Sequence, residues 1–247
     1  MRLSTSPFAA LPPATRTLIL FCLGCYGIGL FLPSGVTVLF GLVPALVSHG
    51  LALWQPFTYM FLHGSFFHLL FNVFALWMFG GILEELWGAK KFTLFYFACG
   101  LGAAALHILL KPHSAVPVIG ASGAIYGLLA AFAVEFPAAV VYLYFFFPVK
   151  ARTMAIVLCV VEFLASFNPS SHIANLAHLG GLFTGLLILK GPQLLRNAVP
   201  SARQPHVLAE HEANAILEKV RTHGVSSLTN KERRAIDAFA RKLKEQQ

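Results

Sequence analysis

The sequence predicts an all-α integral membrane protein with a polar helical tail, and three observations carry that prediction. Hydrophobic residues make up 57% of the chain and charged residues only 11%, which excludes an ordinary water-soluble domain. Charge is segregated: up to residue 200 the only carboxylates are Glu84, Glu85, Glu135 and Glu162, whereas the remaining segment is dense in both signs. Before that boundary, apolar runs long enough to be membrane helices recur six times.

The first run, about 17–32, follows a short polar N-terminus (1–16) that lacks the pattern of a cleavable signal peptide. Cys22 and Cys25 have redox or metal spacing, but they sit in this run without a polar partner. With Cys99 and Cys159, also in apolar runs, they read as buried structural thiols. Residues 33–65 are apolar but broken by Pro33, Gly35, Gly41, Pro44, Gly50 and Pro56, which suggests an ordered, membrane-associated loop. The runs at about 66–86, 92–111, 120–136, 152–167 and 173–190 complete the set of six. An aromatic stretch at 138–147, ending at Pro148, reads as interfacial. The expected organisation is a membrane domain over 17–192, a linker over 193–204 and a tail over 205–247.

Basic residues orient these spans. With the N-terminus cytoplasmic, Arg2, Arg16, Lys90, Lys91, Lys150, Arg152, Lys190 and Arg196 fall inside and only Lys111 outside, so both termini are expected in the cytoplasm. The net charge of +8 does not indicate nucleic-acid binding. Half of the basic residues lie in the tail beside six acids, and no basic stripe carries interleaved aromatics. In the tail, 205–223 has near-helical apolar spacing and Gly224 suits a helix stop. Thr229 with Glu232 three residues on is a capping-box signature, so a cytoplasmic helical hairpin is expected.

An intramembrane polar group is costly, so each needs a partner or a function. In this orientation the second, fourth and sixth spans enter from the outer side. They carry His68 and Asn72, Ser122, and His178 at similar depth, an agreement that packing does not predict. A serine hydroxyl becomes nucleophilic when a histidine removes its proton. At a helix start, Ser122 also lies beside unpaired backbone N–H groups suited to an oxyanion, and Asn72 and His68 offer side-chain donors. Tyr126, one turn from Ser122, is placed to stack on the imidazole. Gly181 and Gly185 follow His178 at small-x-x-x-small spacing, and Gly120, Gly123 and Gly127 flank the serine; such patterns let helix backbones approach closely. Glu162 comes near the right depth, but no spacing ties it to His178. The expectation is a Ser–His dyad with its histidine oriented by packing.

Competing chemistries lack their parts. There is no His-Glu-x-x-His metal motif, no phosphate-binding Gly-rich loop, no intramembrane aspartate pair and no internal repeat of the carrier type.

The segments HGSFFHLLFN (63–72), GASGAIYG (120–127) and AHLGGLFTG (177–185) together resemble the rhomboid family of intramembrane serine proteases. The resemblance covers about residues 15–190 and implies a six-transmembrane-helix bundle. It implies Ser122 as nucleophile, His178 as general base, and Asn72, His68 and the Ser122 N–H as oxyanion donors. It also gives supporting places to Tyr126, Gly120 and His63, and makes Glu84 a structural carboxylate after the second span. Here Trp54 is followed by Gln55 and Pro56 where the family often has arginine, so no arginine anchor for the first loop is carried over. The implied activity is hydrolysis of peptide bonds in or beside the transmembrane helices of membrane-protein substrates, with no metal or other cofactor. The alternative is a non-catalytic client-binding protein of the same fold. Six spans with an internal N-terminus suit a bacterial inner (cytoplasmic) membrane; substrate identity and oligomeric state are not encoded in these motifs.

Overall fold

A computed structural model of the chain describes residues 11–33, 35–143, 146–168, 174–198, 210–233 and 236–237. The protein is mostly helical and divides into two compact units, Met1–Gly191 and Pro192–Gln247. Each of the six apolar runs folds as a helix. The first is α1 (Pro13–Gly29), which begins with proline at its first position and has no capping side chain of its own. Its free N–H groups are met from elsewhere in the chain: the Glu84 carboxylate accepts from Ala14 N (2.9 Å) and Thr15 N (2.7 Å). That is why a carboxylate can sit buried near the end of the second apolar run.

The loop that follows carries short helices α2 (Val36–Phe40), α3 (Pro44–Ser48) and α4 (Gln55–Thr58), with a 3₁₀ turn at Tyr59–Phe61. Gln55 is fully buried. Its Oε1 accepts from Val43 N (2.8 Å) and its Nε2 donates to Val38 O (2.8 Å). Trp54 Nε1 donates to Leu39 O (2.8 Å) and Thr58 Oγ1 to Phe40 O (2.6 Å). The loop is thus anchored by neutral side chains that satisfy its own backbone. A reciprocal pair of backbone bonds between Leu42 and Val118, both 2.8 Å, ties it to the strand-like segment before Ser122.

The second run is continuous from Phe66 to Trp87: α5 (Phe66–Ala75), a π-type turn (Leu76–Gly80) and α6 (Gly81–Trp87). Ser65 caps it through a bond from His68 N at 3.2 Å. Then come α7 (Ala89–Leu110), α8 (Ser122–Glu135), α9 (Ala151–Ala165) and α10 (Asn175–Ala198). Among the described residues, 66–87 and 89–110 are the helices long and apolar enough by themselves to cross a membrane. His172 and the first residue of the expected sixth span, Ile173, lie outside the described residues.

An all-helical expectation missed one feature. The aromatic stretch forms an antiparallel hairpin, β1 (Val140–Leu143) with β2 (Phe147–Lys150), in which Val140 faces Lys150. Its β-branched and aromatic residues favour extended backbone, and Pro137 and Pro148 oppose helix.

One helix, α9, is inside-out by the standard of a soluble protein. In α9 the buried residues are Ala151, Met154 and Glu162, while Ile156, Val157, Val160, Val161, Phe163 and Leu164 are exposed. A carboxylate turned inward under an apolar exterior suits a lipid solvent.

In the second unit α11 (Glu210–His223) ends at Gly224, where φ is +79°. The capping box at Thr229 is formed in both directions: Thr229 N donates to Glu232 Oε2 (2.8 Å), and Glu232 N donates to Thr229 Oγ1 (3.3 Å). Leu208, Phe239 and Leu243 of the expected hairpin lie outside the described residues.

Candidate active site

Ser122 is the first residue of α8, and the chain reaches it through Gly120, whose φ of +122° a side chain would rarely adopt. A Cβ at Gly120 would also lie 2.7 Å from His68 Nε2, so a larger residue is excluded on both counts. In the first turn of α8 the bond back to the cap is Ile125 N to Ala121 O (3.0 Å). Among the described residues, the N–H groups of Ser122 and Gly123 have no acceptor, as expected at a helix start.

Two helices bring the histidine to this serine. Small residues line the face between α8 and α10 so closely that a Cβ on Gly181 would fall 1.8 Å from the Gly123 carbonyl oxygen. One turn on, a Cβ on Gly185 would lie 3.0 Å from the Gly127 oxygen. With the backbones this near, His178 Nε2 comes to 2.7 Å from Ser122 Oγ. The Tyr126 ring stacks on the imidazole, centroids 4.4 Å apart and planes 6° from parallel.

The structure adds a polar contact to the packing expected around His178. Glu162, on α9, places Oε1 2.9 Å from His178 Nδ1. The ring N–H is not aligned with that oxygen, so the contact is one of charge and proximity more than of a directional hydrogen bond. The same carboxylate accepts from the Tyr126 hydroxyl (2.5 Å, Oε1) and from Asn175 Nδ2 (2.5 Å, Oε2). Asn175, a residue the sequence did not mark, lies three residues before His178, which puts both on one face of α10. Glu162 has the expected depth, but its pairing with His178 could not be read from the sequence because the two are separated by a loop whose length carries no register.

The remaining predicted residues divide. His68 lies beside Ser122: its Nδ1 accepts from Gly64 N (3.4 Å), which leaves Nε2 as the protonated nitrogen, the one next to Gly120. His63 is packed edge-on against His68, centroids 5.1 Å apart. Asn72 is buried, and its Nδ2 donates to His68 O at 2.7 Å, one turn back along its own helix. One amide hydrogen of Asn72 therefore remains for another acceptor. Glu84 is not brought to this site; it serves the start of α1. Among the described residues, no group of three or more His, Cys, Asp or Glu side chains is placed to hold a metal ion.

The arrangement supplies a hydroxyl paired with an imidazole, a carboxylate behind that imidazole, and donors around the hydroxyl. That is the equipment of nucleophilic acyl transfer.

Residues 50–191 match the model of the Rhomboid domain, and residues 204–242 match a family of unknown function (DUF6576). The chain is 32% identical over 193 residues to RHOMBOID-like protein 1 of Arabidopsis thaliana, covering 70% of this chain and 47% of that one. It is 32% identical over 136 residues to the rhomboid protease GluP of Bacillus subtilis (53% and 24%). With the mitochondrial rhomboid protein 1 of Saccharomyces cerevisiae it shares 36% over 140 residues (51% and 38%). The matched part thus spans between about a quarter and a half of these relatives' lengths.

Proposed function

The chain belongs to the rhomboid family of membrane proteins, and from that premise we propose that it is an intramembrane serine endopeptidase acting through Ser122 and His178. The observation that carries the reading is the 2.7 Å approach of His178 Nε2 to Ser122 Oγ. In this reading His178 takes the hydroxyl proton as Ser122 attacks a substrate carbonyl. The N–H of Ser122, the His68 Nε2–H and the free Asn72 amide hydrogen stabilise the oxyanion. His178 then protonates the leaving amine and activates the water that hydrolyses the acyl-enzyme.

The substrate class follows from the setting. Residues 17–192 form the protease domain, the six helices span the bilayer, and 205–247 is a cytoplasmic tail. At 14 residues α8 is roughly 21 Å long, well short of the ~30 Å hydrocarbon core. Ser122 therefore lies below the outer face, at a depth where the accessible peptide bonds belong to the ends of transmembrane helices. The non-catalytic client-binding alternative keeps the fold but leaves the close Ser–His pair without a purpose.

The test is fluorophosphonate labelling of the detergent-purified protein. Ser122 Oγ displaces fluoride from phosphorus and retains the label. Wild type labels, whereas Ser122→Ala does not and Ser122 in His178→Ala reacts at least about a hundredfold more slowly. A wild type that stays unlabelled beside an active rhomboid protease in the same detergent would move the reading to client binding.

A further inference from the structure

We propose that Glu162 is a positioning residue for this reaction, so that the chain works with a Ser122–His178–Glu162 triad rather than a dyad. The inference rests on the serine-peptidase reading above. Three observations lead to it.

The first is cost. Glu162 is 7% exposed on a helix whose neighbouring side chains are apolar and outward-facing. A carboxylate in such a place is unfavourable unless paired. The second is saturation. Oε2 takes the Asn175 amide and Oε1 takes the Tyr126 hydroxyl, so the carboxylate is held at two points before it meets the histidine. Both donors come from the elements that carry the dyad, Tyr126 from α8 and Asn175 from α10. The third is placement. Oε1 faces Nδ1 of the same ring whose Nε2 faces Ser122 Oγ. A carboxylate behind Nδ1 favours the tautomer with its proton on Nδ1, which leaves Nε2 free to accept the serine proton.

The four side chains form a closed circuit. Tyr126 stacks on the face of the imidazole and anchors the carboxylate at its edge, so ring tilt and ring tautomer are fixed by one residue. During attack the imidazole becomes cationic, and Glu162 is the carboxylate in contact with it; no proton moves to Glu162. Among the described residues, Tyr126, stacked on the ring, and His68 and His107 on neighbouring helices are the other titratable side chains that interact with His178.

The experiment uses the full chain in detergent, with fluorophosphonate labelling rates followed from pH 5 to 9 and thermal melting in parallel. Glu162→Gln removes the charge and keeps the size. The expected result is a plateau rate at least about tenfold lower, and a rising limb displaced to lower pH, because the imidazolium has lost its counter-charge. Melting should move far less than the rate, and Glu162→Asp should restore part of the rate and bring the limb back toward its wild-type position.

Labelling of Glu162→Gln equal to wild type at every pH overturns the proposal. So does a loss that tracks the loss of folded protein with the limb unmoved, because that is what a merely structural carboxylate would give. If Glu162→Gln does not fold, Tyr126→Phe decides. It keeps the carboxylate but frees Oε1 of a donor, and should move the limb to higher pH; an unmoved limb counts against the triad. An unlabelled wild type overturns the peptidase reading itself, an outcome separate from a labelled wild type with an indifferent Glu162.

Discussion

His178 is held on two sides by opposite means. Toward Ser122 the holding is done by absence: Gly123, Gly127, Gly181 and Gly185 remove side chains, so that α8 and α10 meet backbone to backbone. Toward α9 it is done by polar contact, with Glu162 tied to Tyr126, Asn175 and His178 while most of the helix around it is exposed apolar surface. The difference is physical. A small-residue interface gains dispersion contact only at one separation, and any added atom forces the backbones apart. A carboxylate with several donors sets direction more than distance, and it lets α9 contribute to the site without a tightly packed face.

The largest expected effect comes from breaking the packed side. In Gly181→Ala the new Cβ would fall 1.8 Å from the Gly123 oxygen, a separation no atoms tolerate, so α8 and α10 must separate. Such overpacking typically costs about 1–3 kcal/mol, and here it also opens the Ser122–His178 approach. We expect a lower melting temperature and near-complete loss of fluorophosphonate labelling. Gly24→Ala, with nothing within 4 Å of the new atom, should change neither. If Gly181→Ala melts and labels like wild type, the interface is not the rigid side of the site.

The same contrast explains what the sequence made legible. Small-x-x-x-small spacing announces a close helix face, so the meeting of Ser122 with His178 could be anticipated from Gly181 and Gly185 and from the motifs shared with the rhomboid family. Tyr126 followed from helical periodicity. A polar tether carries no such period. Glu162 and His178 are separated by a helix end and a loop, and only three-dimensional packing sets the phase between them. Glu84 is the parallel case: its carboxylate binds Ala14 N and Thr15 N, seventy and sixty-nine residues away in the chain. The hairpin at β1 and β2 escaped for a different reason, because an aromatic apolar run at a boundary satisfies membrane-interface and strand preferences equally.

A second polar tether tests whether neutral contacts hold as well as a charged one. Gln55 is fully buried and serves both the Val43 N–H and the Val38 carbonyl. Gln55→Ala strands both groups, for which about 1–3 kcal/mol is the usual cost. The expected readouts are a lower melting temperature and faster hydrogen–deuterium exchange at Val43. Gln55→Glu keeps the acceptor for Val43 N and loses the donor to Val38 O. It should protect Val43 while still destabilising the loop. Equal protection of Val43 in wild type and Gln55→Ala would remove Gln55 as the anchor.

The smallest effect is expected where a polar tether faces water instead of lipid. In the second unit Lys219 Nζ donates to Glu232 at 2.9 and 3.1 Å, and the Thr229 N–H and hydroxyl add their bonds to the same carboxylate. Lys219 first, then Thr229, holds the Glu232 carboxyl down from its ordinary 4.5 to about 2. A carboxyl depressed on folding stabilises at pH above 4.5, and that contribution fades as pH falls from 4.5 towards 2. Hydrogen–deuterium exchange at Thr229, corrected for intrinsic rates, should therefore be flat from pH 7 to 5 and accelerate below 4.5. Glu232→Ala should show the faster exchange already at pH 7. Because the carboxylate is solvent-exposed, 0.5 M salt should weaken the Lys219 part while leaving the Thr229 bonds, so protection falls only in part. Flat protection down to pH 2 would mean that the cap holds without its charge, and that charge matters to this chain only where water is excluded.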